Sequence, residues 1–249
     1  MTKSGGGNHL KRLVAPKHSP IQRKENKFTV KPSPGPHPSK ECIPLTIVVR
    51  DILNYAKNTK EVKKIIQEKS VLVDGRARNN KKHPVGFMDS LSFPKIDKYY
   101  RMVYQNKGLR TVSISKEEAQ YKLCQIKNKT TLKKGLTQIN LHDGRNIIVS
   151  ENGKEQSQYK TYDTVKISLP NQEILEQFES KIGNYALITS GRWMGTHGLI
   201  EDISDHGTLK TKTVTLRTPN NDVIETLFKY IFIIGKDSPD VSLTTEESD

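Results

Sequence analysis

The segment "SVLVDGRARNNKKHP", residues 70–84, joins a short apolar strand to a dense group of positive charges. The apolar residues 71–73 are typical of a buried strand, and Asp74-Gly75 predicts a tight hairpin turn. Four fixed cations follow the turn with no acidic residue among them. These cations are Arg76, Arg78, Lys81 and Lys82. Because a hairpin that only had to fold would not need them, the segment indicates a surface that meets an anionic partner.

Two helices are predicted before this hairpin and one strand after it. Pro44 suits the start of the first helix, whose apolar residues recur at helical spacing. Asn58 and Glu61 have the spacing of a capping box for the second helix. The stretch "VGFMDSLSF", residues 85–93, predicts the return strand. Residues 43–98 therefore form a small α+β unit.

The positive charge is concentrated towards the N-terminus. The chain has 41 Lys and Arg against 27 Asp and Glu, a formal net charge of +14, and residues 1–89 carry +12 of it. Such a field attracts polyanions and repels other copies of the chain, which indicates nucleic acid or an anionic membrane as partner. No apolar run reaches the roughly 18 residues of a membrane span, and no secretory signal is recognisable. We therefore expect a cytoplasmic protein without a membrane partner.

Residues 1–42 are predicted to form a basic extended arm. Residues 1–40 hold nine Lys and Arg but a single acid, together with Gly5-Gly6-Gly7 and the run "KPSPGPHPSK". Proline and glycine disfavour regular structure, so we expect the arm to become ordered along a phosphate backbone. A merely disordered tail is the alternative. The candidate RNA contacts in the arm are His9, Lys11, Arg12, Lys17 and His18.

Further candidate contacts lie on the two predicted helices. They are Arg50, Lys60, Lys63 and Lys64. If they converge with the hairpin cations on one side, the surface suits the phosphate spacing and wide minor groove of folded RNA. The alternative is an ordinary solvated face, because exposed charges on a helix are usually just that.

The rest of the chain is predicted to be mostly β. Residues 99–172 form a central β-rich domain with one short helix at "SKEEAQYKLCQI", where Ser115 is the expected N-cap. Residues 173–236 fit a small SH3-like β-barrel, and residues 237–249 form an acidic tail. The fold class is therefore α+β and multidomain.

Several sequence blocks resemble a known family. The order helix, helix, "VLVDGRAR", "PVGFMD" resembles the S-four type RNA-binding fold. Blocks between residues 8 and 243 are similar to small-subunit ribosomal protein four of the archaeal and eukaryotic type: "HLKRLVAPK", "PSPGPH", "EVKKII", "EEAQYKLC", "HDGR" and "IFIIGKDSP". The resemblance implies a structural protein of the small ribosomal subunit that binds the 5′ domain of its rRNA in the body, beside other small-subunit proteins. The repulsion between positively charged copies separately predicts that the chain forms no homo-oligomer.

The stretch "SGRWMGTHGLIEDI", residues 190–203, is similar to a KOW motif. Glycine is needed in such a loop where φ is positive or where backbones pack closely. The loop glycines are Gly191, Gly195 and Gly198. Arg192 is the candidate RNA contact, and Trp193 either stacks on a base or covers the end of the barrel. Thr196-His197 stands where relatives usually carry a second basic residue.

No catalytic, metal or cofactor site is predicted. The two cysteines and seven histidines show no metal-ligand spacing. Enzymes that share the S-four fold need a separate catalytic domain, and residues 99–249 show no motif for one. His197 and His206, near Glu201 and Asp202, are interpreted as incidental surface residues. The alternatives that remain are a KOW-containing transcription or translation factor and an RNA-modifying enzyme without recognisable motifs.

Overall fold

Three five-stranded antiparallel sheets make up most of the fold. A computed structural model describes residues 7, 9–106, 108–149, 159–205 and 212–243. The strands of these residues are β1 (Leu10–Lys11), β2 (Phe28–Thr29), β3 (Cys42–Pro44), β4 (Leu72–Val73), β5 (Arg76–Ala77), β6 (Pro84–Gly86), β7 (Ser90–Phe93), β8 (Lys98–Gln105), β9 (Gly108–Ser113), β10 (Tyr121–Thr131), β11 (Thr137–Leu141), β12 (Asn146–Val149), β13 (Thr164–Ser168), β14 (Ile174–Phe178), β15 (Tyr185–Ile188), β16 (His197–Ser204), β17 (Thr213–Arg217), β18 (Val223–Leu227) and β19 (Ile231–Gly235). The helices are α1 (Leu45–Ile47), which continues as a π-helical turn over Val48–Ile52, and α2 (Thr59–Gln67).

The first helix is shorter and wider than predicted. The N–H of Leu53 bonds to the carbonyl of Val48, which is the five-residue spacing of a π-helix, and Asn54 ends the helix with a φ of 55°. Residues 46–49 are all buried. We attribute the widening to this run, since consecutive β-branched side chains crowd an α-helical turn.

The second helix is confirmed. The Asn58 side chain accepts hydrogen bonds from the backbone N–H groups of Lys60 and Glu61, and Glu61 accepts the N–H of Lys57 at 2.7 Å. The apolar stripe of α2 faces the core, with Val62 and Ile66 buried. The cap determines where α2 begins, and the stripe determines which face of α2 packs against the core.

The predicted hairpin turn is also confirmed. Asp74 and Gly75 have φ values of 51° and 73°, as a type I′ turn between β4 and β5 requires. The predicted return strand is divided in two, because β6 pairs with β3 while β7 pairs with β4. The sheet order β5-β4-β7-β8-β9 then continues across the predicted domain boundary at residues 98 and 99.

The helix predicted at residues 115–126 is wrong. Ser115 Oγ accepts the N–H of Glu118 at 3.1 Å, but only a single 3₁₀ turn follows before strand β10 begins. Strand β10 is central in its sheet, between β11 and β13, and buries Leu123 and Ile126 completely. Tertiary pairing on both edges therefore overrides the local helix preference of this charged stretch.

The predicted boundaries of the last two segments also differ from the sheets. Strand β14, expected in the barrel, pairs with β13 of the central sheet. The barrel sheet has the order β18-β17-β16-β15-β19. Residues 237–243 are no free tail, because Val241 and Leu243 are buried and Ser242 bonds to Glu118. Residues 244–249 lie outside the described residues.

The arm is ordered against the body from residue 9 onward, contrary to the expectation that it needs RNA to become ordered. Arg23 donates to the backbone carbonyls of Ala15 and Pro16 at 2.8 and 2.9 Å. Gly35 packs against Pro84, at a distance that leaves no space for a side chain. Charged donors that satisfy backbone carbonyls replace the apolar core that the arm lacks. Gly5 and Gly6 lie outside the described residues.

A buried charge centre joins the arm, the hairpin turn and the central sheet. Lys122 of β10 is fully buried, with its Nζ 2.9 Å from Asp74 and 2.5 Å from Asp89. Asp143, in the turn between β11 and β12, lies 3.1 Å from the same ammonium. His37 of the arm lies 2.9 Å from Asp89. One lysine thus links three turns that are far apart in the chain.

The pKa values at this centre are set by burial and by the opposite charges. Burial alone would raise the pKa of Asp89, but His37 and Lys122 outweigh it and lower that pKa well below the usual range. The pKa of Asp143 is lowered to about 2 against the same burial penalty, mainly by Lys122. Burial would lower the pKa of Lys122, but its three carboxylates raise it well above the usual value.

Acidification should destabilise the fold before the carboxylates titrate. Burial lowers the pKa of His142 to about 3, against 6.5 for an ordinary histidine. Below pH 6.5, His142 therefore binds a proton in the unfolded chain but not in the folded chain, and stability falls as the pH falls from 6.5 towards 3. From pH 7.5 to pH 5, His142 alone should remove about 2 kcal/mol from the free energy of unfolding, at about 1.4 kcal/mol per pH unit.

Urea unfolding at both pH values measures the change. The variant H142Q should lose distinctly less stability than the wild type, and equal losses in the two proteins would contradict the assignment.

Candidate nucleic-acid interface

The turn of the basic hairpin is docked on the central sheet. The Asp74 carboxylate accepts hydrogen bonds from Lys122 at 2.9 Å and from Arg145 at 2.6 Å. Gly75 faces Pro170, with about 3.4 Å between the ring and the place of a glycine Cβ. The basic segment therefore starts from a fixed point rather than from a free loop tip.

Backbone hydrogen bonds hold the rest of the basic segment from two sides. Helix α1 donates from Thr46, whose N–H and hydroxyl bond to the carbonyl of Lys81 at 3.0 and 2.7 Å. The proline-rich part of the arm donates from Ser33, whose N–H and hydroxyl bond to the carbonyl of Lys82 at 2.9 and 3.0 Å. Because these bonds use the main chain, they do not occupy the side chains of Lys81 and Lys82, while Arg76 donates a long hydrogen bond of 3.4 Å to the carbonyl of Pro170.

The four hairpin cations have no carboxylate within salt-bridge distance in the described part of the chain. Arg76 and Lys82 are exposed, while Arg78 and Lys81 are half-buried. The Nε of Arg78 is buried and has no hydrogen-bond partner among the described residues. Burial, and then the positive charge of Arg78, lower the pKa of nearby His83. The hairpin is thus a rigid group of uncompensated positive charges.

The lysines of α2 are exposed and make no ion pair with any described residue. They are Lys60, Lys63 and Lys64. Arg50, by contrast, forms a bidentate pair with Asp51 at 2.6 and 2.8 Å. The convergence of the helix lysines with the hairpin on one side stays a prediction.

The candidate residues of the arm divide into exposed and internal groups. His9, Lys11 and Lys17 are exposed. Arg12 is buried and bonds within the arm to Glu25 at 2.9 Å and to two backbone carbonyls, so its charge organises the arm instead of facing outward. The His18 Nε2 lies 3.2 Å from the carbonyl oxygen of Cys42, and burial lowers the His18 pKa, so this ring also belongs to the internal group.

The structure divides the 190–203 segment between a loop and strand β16, so Gly191 and Gly195 lie in the loop as predicted, whereas Gly198 lies in the strand. Gly191 and Gly195 have φ values of 93° and 88°, and a Cβ on Gly198 would clash with the carbonyl oxygen of Arg217. Arg192 is exposed and stacks over Trp193 at 5.1 Å, and 43% of Trp193 is exposed. RNA contact by Arg192 stays a prediction, and both roles for Trp193 remain open.

The residues that suggested acid-base chemistry have structural partners. His197 Nδ1 lies 2.8 Å from the Tyr185 hydroxyl, and burial lowers the His197 pKa. Glu201 pairs with Arg217. His206 lies outside the described residues. Across the described ranges, no group of three or more His, Cys, Asp or Glu could hold a metal ion, and no helix has the length and hydropathy to cross a membrane.

Two family profiles match the chain. The N-terminal profile, the RS4NT (NUC023) domain, matches residues 4–40, and the profile of ribosomal family S4e matches residues 96–174. The chain is 45% identical to small ribosomal subunit protein eS4 of Ignicoccus hospitalis, over 98% of each chain. It is also 45% identical to the protein of the same name from Methanocaldococcus jannaschii, over 98% of this chain and 100% of the relative. The chain belongs to the ribosomal protein family S4e.

This S4e chain is also similar to a solved member of the family. The crystal structure of the 30S ribosomal protein S4e from Thermoplasma acidophilum matches with a TM-score of 0.65 and 27% identity, over 79% of this chain and 96% of that one. The resemblance stated from the sequence is thereby confirmed. As a member of this family the chain is a ribosomal protein and not an enzyme.

Sequence reasoning missed the residues that hold the S4e hairpin in place. Ser33 supports the basic segment, and Asp74, Asp89 and Asp143 anchor three turns on Lys122. The three aspartates stand in the blocks "VDGRAR", "PVGFMD" and "HDGR", each at a turn. The only indication of their role in the sequence was that each is an acidic residue at a turn within an otherwise basic or apolar block.

Proposed function

We propose that this S4e chain is a structural constituent of the small ribosomal subunit in the cytoplasm, where it binds rRNA through its basic hairpin and arm. The uncompensated charge of the hairpin carries the proposal. Four cations held together without an acid repel one another, and a phosphate backbone removes that repulsion while releasing counterions. A folded RNA also offers the wide minor groove against which such a surface packs.

The proposed layout assigns one role to each segment. The arm lies along RNA, the S-four-like unit docks on a folded junction, and the central sheet (β10 to β14) with the KOW-type barrel sheet (β15 to β19) offers further surface. The sheet that runs from β5 to β9 supports a rigid base for the hairpin of the S-four-like unit. Rigid scaffolds of this kind hold a contact surface with little loss of entropy on binding.

The proposed partners are small-subunit rRNA and the neighbouring small-subunit proteins. We place the contact in the 5′ domain of the rRNA, in the body of the subunit, as the family resemblance implies. The chain acts as a single copy, since its net charge of +14 repels a second one. The relatives from Ignicoccus hospitalis and Methanocaldococcus jannaschii carry the name small ribosomal subunit protein eS4, which supports this assignment.

A sucrose-gradient profile of cell extract tests the function directly. The chain should sediment with small subunits at low salt and should stay with them through a high-salt wash. Retention is expected because many phosphate contacts and a buried arm must be lost together. The measurement is an immunoblot of the gradient fractions for this chain, with a known translation factor as the control that the wash removes.

Release at modest salt would contradict the proposal. A chain that moves to the top of the gradient behaves as a factor that visits RNA or a polymerase. That outcome would favour the KOW-containing factor over a ribosomal constituent.

A further inference from the structure

A cleft of about 450 Å³ lies where the arm, the central sheet and the barrel sheet meet. The arm contributes Lys40, the central sheet contributes Lys127, and the barrel contributes Tyr230 from the turn before β19. Its volume is within the range of about 300 to 1,000 Å³ that is usual for small-molecule sites. None of the four hairpin cations lines it.

The floor of the cleft is aromatic. Phe87 and Tyr104 stack with their ring centroids 4.9 Å apart, and Phe232 meets Phe87 edge-on at 4.8 Å. The His142 ring packs edge-on against Phe232 at 5.6 Å, with its Nδ1 accepting the N–H of Gln125. The rings support one another and line the cleft together with the half-buried ring of Tyr230, so the cleft offers aromatic surface to a flat π-system.

The mouth of the cleft is basic, and few acidic side chains neutralise its charge. Lys40, Lys127 and Lys229 are exposed, and none forms an ion pair within the ranges that the structure describes. Glu41 is the single acid among the lining residues. Lys229 lies over the Tyr230 ring at 5.1 Å, which joins the charge to an aromatic face.

We propose that this cleft holds one unpaired RNA nucleotide, with its base against the aromatic residues and its flanking phosphates on the three lysines. The inference rests on the proposed binding of rRNA and adds a second contact, separate from the hairpin. A nucleotide matches both features of the cleft, because every base has a π-face and every backbone carries phosphates. An apolar side chain of a protein would match the floor but would leave the three lysines without partners.

Variants at Tyr230 test base stacking in the cleft with the full-length chain. The variant Y230L should bind a small-subunit rRNA transcript about 10-fold more weakly, as expected for the loss of one stacked base. Y230F keeps the ring and should bind as the wild type does, which separates stacking from any role of the hydroxyl. Y99L makes the same change at a tyrosine outside the cleft and should have no effect. Equal affinities for Y230L and the wild type would overturn the proposal.

Met194 lines the cleft and provides a second readout that needs no variant. In the wild-type chain with ¹³C-labelled methionine methyl groups, adenosine monophosphate should shift the Met194 signal, and ribose 5-phosphate should not. The buried methyls of Met88 and Met102 are internal controls for the fold. Equal shifts with both compounds would show that the cleft binds phosphate alone and would overturn the base-binding proposal. The absence of a shift with either compound would also overturn it.

The two proposals fail in different ways. If the wild-type chain does not bind rRNA at all, the proposed function is wrong. If the wild type binds and Y230L binds equally well, only the cleft proposal is wrong.

Discussion

Reversing the charge of the four hairpin cations is expected to abolish rRNA binding and to leave the fold intact. The substitutions are R76E, R78E, K81E and K82E. The fold should survive because the hairpin is held by main-chain bonds from Thr46 and Ser33 and by the Asp74 carboxylate, none of which uses the four side chains. Binding should fail because no carboxylate among the described residues neutralises these four cations, so the reversal replaces uncompensated positive charge with negative charge opposite the phosphates.

The salt dependence of rRNA binding measures how many phosphate contacts the quadruple variant loses. Each phosphate contact contributes about 0.7 to 0.9 to the slope of log K against log salt, so the slope of any residual binding should be shallower by about 3. Filter binding of an rRNA transcript over a series of salt concentrations measures it. Circular dichroism and thermal unfolding report whether the quadruple variant remains folded.

A matched variant separates the position of the charges from their number. Four exposed lysines outside the hairpin, which form no ion pair within the described residues, can be reversed to give the same change in net charge. They are Lys98, Lys116, Lys133 and Lys160. This control should keep most of the affinity at moderate salt. If both quadruple variants lose binding equally, or if the hairpin variant still binds at moderate salt, the hairpin is not the principal RNA contact.

The variant K122M is expected to have the largest effect on stability. It should lower the free energy of unfolding by about 3 to 5 kcal/mol, which is the usual result of removing one partner from a buried ion pair. Lys122 is fully buried among Asp74, Asp89 and Asp143, so its loss leaves three buried carboxylates with Arg145 and His37 alone. For a chain of this size the melting temperature should fall by roughly 10 °C.

Urea unfolding of K122M and of K116M measures this effect. Lys116 is exposed in the connection between β9 and β10, and K116M should change stability by less than about 0.5 kcal/mol. Because Asp74 anchors the hairpin turn, K122M should also weaken rRNA binding at temperatures where it is still folded. A K122M variant within 1 kcal/mol of the wild type would show that the charge centre does not hold the turns together.

The part of the site that could be predicted is the part whose charges have no nearby partner. Four cations without an acid between residues 75 and 84 were recognisable from the sequence alone. Arg50 could have been interpreted correctly as well, because its partner Asp51 is adjacent. The partner of Arg12, Glu25, is 13 residues away and meets it only when the arm folds back, so no local pattern indicated that Arg12 is internal.

The sequence by itself determined the elements that depend on near neighbours. The cap of α2 and the Asp74-Gly75 turn arise from hydrogen bonds and side-chain spacing within a few residues, and both are observed. Only the tertiary structure decided the order of the arm, the conversion of residues 121–126 to a strand and the burial of residues 241–243. Those outcomes rest on contacts between distant residues, such as Lys122 with Asp74 across 48 positions and Ser242 with Glu118 across 124. Local propensity is worth only tenths of a kcal/mol per residue, whereas burying one apolar side chain is worth about 2 kcal/mol, and for that reason the distant contacts prevail.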